Sequence, residues 1–176
     1  MESPITGQKN HDIKAGHRWE GMFVYPPMKE VTAREWKAWF ATMYGPAKTF
    51  YCFDPDIRTP EGVADTGSST PLVKGASQTG ISITSDGWAL DTVNLLLPGD
   101  HVQIGGELKI VTEIVTSVSD DATINFQPAL HVSPNNNSAI VFENPKGIFK
   151  LEGDSVSWDS NQFGIHEFAI SFYESF

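Results

Sequence analysis

The chain reads as mainly β with one flanking α-helix: a β-sandwich main region interrupted by a small all-β insertion, itself a barrel or a sandwich. Three observations predict this class. Only one stretch repeats its apolar residues with helical period, aromatic runs alternating with period two lie near both ends, and the middle consists of short apolar runs divided by turn residues. With 176 residues, 40% of them hydrophobic and 11% aromatic, there is enough apolar material to bury a core without a disulfide or a metal.

In order along the chain, residues 1–14 are polar and aperiodic, an extended arm that gains order only against a partner. In Arg18 to Tyr25, Trp19, Gly21, Phe23 and Tyr25 alternate with the residues between them until Pro26-Pro27, which predicts a strand. The helix follows in Glu30 to Pro46. Trp36, Trp39, Phe40 and Met43 stand at i, i+3, i+4 and i+7, so one side of the spiral is aromatic and needs a broad apolar surface. Thr32 and Glu35 have the spacing of a capping box, and Gly45-Pro46 supplies a stop. Lys48 to Phe53 is a second aromatic strand, closed by the turn Asp54-Pro55-Asp56.

Ile57 to Thr70 is dense in Gly, Pro, Ser, Thr and Asp, the composition of a long loop or linker. Short strands are then predicted at Ile81–Thr84, Asn94–Leu97, His101–Ile104, Glu107–Val115, Ala122–Phe126 and Ala139–Phe142. Gly105-Gly106 fits a two-residue hairpin, Leu108, Ile110 and Ile114 are expected on one face of the returning strand, and a three-stranded meander results. After Asn144-Pro145-Lys146-Gly147 the aromatic texture returns, and Phe168, Ile170 and Phe172 mark one apolar face of a final strand. The expected organisation is a main domain at 1–66 and 145–176 with an inserted β-domain at 67–144.

The net charge of −10 with scattered basic residues excludes a grip on phosphates; such a surface instead repels DNA, as a wall past which DNA slides would. No apolar run is long enough for a membrane span, and the first residues lack the pattern of a signal peptide. Phosphate-binding glycine loops, zinc spacings among the five histidines and a nucleophile elbow are all missing from the sequence. Asp54-Pro55-Asp56 and Asp120-Asp121 read as turns rather than calcium ligands, and Cys52, inside an aromatic strand, as a buried structural thiol. Trp88 is either a core residue or a platform on which a sugar stacks. No catalytic, cofactor-binding or metal-ligating residue is assigned, no cofactor is expected, and the chain is read as not an enzyme.

RWEGMFVYPPM, VTAREWKAWFATMYGPAKTFYCFDPD, TPLVKGASQTGISITSDGW, LLLPGDHVQIGGELKIVTEIV, ATINFQPALHVSPNNNSAIVFENPKGIFKLEGDSVSW and ISFYESF, in that order, resemble a family of siphophage tail structural proteins. The resemblance covers nearly the whole chain after residue 15 and is closest to distal tail proteins. It implies a virion protein of the bacteriophage tail, made in the bacterial cytoplasm. Such a protein closes into a homo-oligomeric, hexameric ring that joins the tail tube to the tail tip. The partners implied are other copies of itself, the tail tube protein, tip or hub proteins and the tape measure protein. DNA only passes through, and nothing inserts into a membrane. Another tail or head-tail joining position, and a carbohydrate-binding module at the host surface, stay open as alternatives. The arm and the loop from Asp54 to Ser69 are the expected contacts between subunits.

Overall fold

The computed structural model describes residues 17–155 and 157–176; the arm at 1–14 lies outside them. The elements in chain order are β1 (Glu20–Val24), β2 (Met28–Lys29), α1 (Glu30–Met43), β3 (Thr49–Cys52), β4 (Leu72–Val73), β5 (Gly80–Asp86) and β6 (His101–Ile104). They continue with β7 (Glu107–Val111), β8 (Ser117–Val118), β9 (Asp121–Leu130), β10 (Ile140–Val141), β11 (Gly147–Leu151), β12 (Trp158–Ser160) and β13 (Ile165–Glu174). The protein is mainly β with one α-helix, as expected.

The first sheet joins the two ends of the chain. Its order is β1-β13-β11-β3, all antiparallel neighbours, with β2 and β12 on the N-terminal half of β13. β13 alternates strictly. His166, Phe168, Ile170, Phe172 and Glu174 are buried while the residues between them are not, because successive side chains of a strand point to opposite faces. The layer opposite this sheet is supplied by α1 at one end and by the second sheet at the other. Ala33, Phe40 and Met43 of α1 pack on Leu151, Phe168 and Ile170, while Leu108 of β7 packs on Cys52, Phe149 and Phe172.

The helix forms where its aromatic repeat predicts, but its ends differ from the expectation. It starts at Glu30 with Lys29 as the extended N-cap and no side-chain cap bond. Thr32 and Glu35 therefore lie inside the helix and make no capping box. The entry is set by strand pairing instead, since Lys29 is held opposite Ile165 of β13, and Glu30 takes up Arg34 in a 2.6 Å ion pair across the first turn. At the other end Tyr44 is the left-handed C-cap (φ 52°), Gly45 beside it also has a positive φ (61°), and Gly45–Ala47 form a 3-10 turn.

The second sheet, of order β10-β6-β7-β9-β5-β4, curls until Leu72 bridges Ala139 and nearly closes a barrel. The meander β6-β7-β9 is present. Ile83, Trp88, Leu95, Leu96, Val102, Ile104, Ile124 and Phe126 fill the interior. Asn94–Leu97 is not a strand: Leu96 makes an isolated bridge to Val115, and Leu95 and Leu96 plug the barrel. β7 stops at Val111, so Ile114 does not share a face with Leu108 and Ile110 and is exposed.

The loop from Asp54 to Ser69, expected as a contact between subunits, is already held in place within this chain. Buried Asp100 accepts hydrogen bonds from the backbone N–H groups of Glu61 (2.8 Å), Gly62 (3.3 Å) and Leu97 (2.7 Å). Ala64 joins the barrel core, and Ala64 N–H donates to Leu95 O. A Cβ at Gly62 would stand 2.1 Å from Leu95 O, so only glycine permits this approach.

Candidate functional site

The first sheet curls so that its two edge strands, β1 and β3, border one apolar trough. One compartment, about 610 Å³, lies against α1 and is lined by Phe23, Tyr25, Trp36, Trp39, Phe50 and Ile170 among others. A second, about 390 Å³, continues toward the barrel past Trp19, Gly21, Leu108, Ile110 and Phe172. Phe23, Cys52, Phe53 and Pro55 belong to both. These volumes lie in the range of ligand pockets, about 300–1,000 Å³, yet the trough is open along its length and suits an extended chain better than a compact molecule.

The trough exists because aromatic side chains outnumber what the helix covers. Trp36 and Trp39 are only half-buried; Trp36 stands edge-on to Trp39 at 5.8 Å, and Trp39 edge-on to Phe50 at 5.4 Å. Phe23 lies 4.6 Å from Phe172. Gly21 makes room for that floor, since a Cβ there would meet the Phe172 ring at 2.7 Å. Among the described residues, β1 pairs only with β13, and β3 only with β11, so each leaves one edge free.

Chemically the trough is quiet. Burial pushes the Cys52 thiol up to about 11, so it is a neutral thiol rather than a nucleophile at neutral pH. Burial also raises the Tyr25 phenol and lowers the His101 imidazolium. The lining also holds the carboxylates Glu20, Glu35 and Asp54 and the His101 ring. Arg18 pairs with Glu20 at 3.2 Å and the Arg58 guanidinium lies over the Phe53 ring, so the rim carries both signs.

At the barrel end a buried polar clasp joins the two sheets. Glu174 accepts from the N–H groups of Leu108 (3.1 Å) and Trp19 (3.3 Å), while the Trp19 indole donates to Leu108 O (2.8 Å). Beside it Lys109, fully buried, donates to Glu107 (2.6 Å) and to Ala129 O (3.1 Å). Glu107 also accepts from the backbone of His131 and Val132, and the His131 ring stacks on Phe176 at 3.5 Å. Burial acts to raise the Glu107 carboxyl, but Lys109 and those two N–H groups outweigh it and hold it below the ordinary range. Burial dominates at Glu174, which is pushed up. Opposite charges two apart in a strand, ELK, share one face and are the sequence signal for this pair; the apolar repeat conceals it.

Of the residues singled out from sequence, Trp88 is buried, stacks on Phe142 at 5.7 Å and donates to Ser85 Oγ at 2.8 Å. It offers no platform to a sugar. Asp54 folds its own turn by accepting from Asp56 N–H at 2.9 Å, and Asp121 pairs with Lys74. Among the described residues no three His, Cys, Asp or Glu side chains converge as a metal ion requires, and no helix is long and apolar enough to cross a membrane. Fold and site together define a mainly-β protein whose conspicuous surface is an apolar trough between two free strand edges. The chain matches no protein-family model and no curated protein sequence.

Proposed function

We propose that this chain is a structural subunit of a siphophage tail. Copies of it form a closed ring, hexameric in the family it resembles, that joins the tail tube to the tail tip and leaves a channel for DNA. The observation that carries the reading is the trough with its two unpaired edges. Free strand edges beside exposed aromatic surface are a liability in a solitary protein and an interface in one that assembles. Head-to-tail contacts that close give a ring. The net charge of −10 fits a lumen that does not hold DNA. The buried position of Trp88 removes the residue on which a carbohydrate-binding reading rested.

Labelling tagged protein with gold on intact phage particles tests the position. Gold at the junction of tube and tip is the expected result; gold on the capsid, or none on any particle, would overturn it.

A further inference from the structure

We propose that the joint between the two sheets is a latch controlled by one proton: Glu174 holds it closed as a neutral carboxyl, and loss of that proton lets the barrel part from the C-terminal end of β13. This goes beyond the ring reading and does not depend on it.

The joint is built around the backbone of one residue. β9 pairs with β7 only at Ile110 and Val111, and Leu108 gives both its backbone groups to side chains of the first sheet instead. Its N–H donates to Glu174, and its carbonyl accepts from the Trp19 indole. The other Glu174 oxygen accepts from Trp19 N–H. These three bonds close over the contact of Leu108 with Phe149 and Phe172, so Glu174 is the side chain that reaches from β13 to the barrel.

The charges there do not balance. Glu174, Glu107 and Lys109 are all buried, so two carboxylates share one ammonium. Glu107 holds it: Lys109 Nζ lies 2.6 Å from its Oε2, and the N–H groups of His131 and Val132 donate to the same carboxylate. The His131 ring, 3.4 Å from that oxygen, also faces Glu107. Arg18 lies over the Tyr173 ring, and Lys150 stands opposite Tyr173 in β11, on the face of β13 turned away from Glu174. His101 lies 6.4 Å from the Trp19 ring, and burial disfavours its cation. Glu174 is left with no cation of its own.

A carboxylate buried without a counter-charge is costly. Burial accordingly raises the Glu174 carboxyl above the ordinary range, and Lys109 with the two N–H groups offsets only part of that. The closed joint therefore binds the proton more tightly than an opened one in which Glu174 meets water. Acid closes the latch, and a rise in pH through the folded value of Glu174 opens it. Opening uncovers Leu108, Phe149 and Phe172, which line the second compartment, so that compartment widens on its barrel side.

Hydrogen exchange of the Leu108 amide and the Trp19 indole, read by nuclear magnetic resonance on the intact chain and on E174Q, tests the latch. The Ile124 amide of the barrel interior is the reference, and rates are corrected for the intrinsic pH dependence of exchange. In the parent, opening at both sites is expected to grow by up to about tenfold per pH unit as pH rises from about 4.3, and to level off above the folded value of Glu174. Both sites should then exchange at least tenfold faster than Ile124, and E174Q should show no such rise. Opening that does not change with pH, or that rises equally in E174Q, would overturn the proposal. So would exchange at Leu108 and Trp19 no faster than at Ile124, because the joint would then open only with the whole fold. The parent also supplies a check that needs no variant: the Glu174 carboxyl carbon should titrate above the ordinary glutamate value, at the pH where the rise in opening levels off. A midpoint at the ordinary value would overturn the latch.

Discussion

The clasp between the sheets is where single residues have the largest leverage. Lys109 and Glu107 are buried against each other, and removing one partner of such a pair leaves an uncompensated charge. K109M is expected to cost about 3–5 kcal/mol in denaturant unfolding, and E107Q/K109M to recover part of that loss. A K109M midpoint equal to that of the parent would contradict the buried pair. Glu174 gives a pH signature of the opposite kind to Glu107. Its carboxyl is raised in the fold, so its contribution is fully present below the ordinary glutamate range and is lost as pH rises through the folded value. E174Q lacks that loss. As pH rises from the ordinary glutamate range, about 4.3, the melting temperature of E174Q should therefore climb relative to the parent; a constant difference would remove the burial argument. None of this cluster is visible from hydropathy. Lys109 sits between Leu108 and Ile110, where alternation points it at solvent, and only the second sheet's neighbours bury it.

At the scale of elements, the helix is the part most legible in the sequence, and its imperfections are informative. The i, i+3, i+4, i+7 repeat locates it, yet only Phe40 and Met43 of the four are fully buried, with Ala33 beside them. F40A should cost about 3–5 kcal/mol, measured by chemical denaturation, and W39A clearly less, because Trp39 faces the open trough. Equal losses would mean that the trough is closed in solution. The capping box fails because an expectation from local spacing does not include β2, whose pairing with β13 fixes where the helix starts. The same reasoning covers Asn94–Leu97 and Ile57–Thr70. Composition marks the first as a strand and the second as a long loop or linker, but the barrel takes Leu95 and Leu96 as a plug and binds the loop through Asp100. The strong alternation of β13, in contrast, is self-sufficient, and its buried face is readable without the fold.

For the whole molecule, two sheets share a chain whose ends meet in the first sheet and whose middle forms the barrel. That pairing of Glu20–Val24 with Ala169–Tyr173 is foreshadowed by the common aromatic texture of the two ends. The trough was not legible, because it is made by curvature: β1 and β3 are not neighbours in the sheet order, and only the curl brings their free edges to one opening. What the sequence contributes is a surplus of aromatic residues beyond what one helix can cover. We propose that this surplus lies at the contact between copies. The most direct test is the mass of the intact chain in solution, followed by light scattering across concentration and salt. The expected result is an assembly several times the mass of one chain that resolves to a ring with a central hole in the electron microscope. A mass of one chain at every concentration would contradict it.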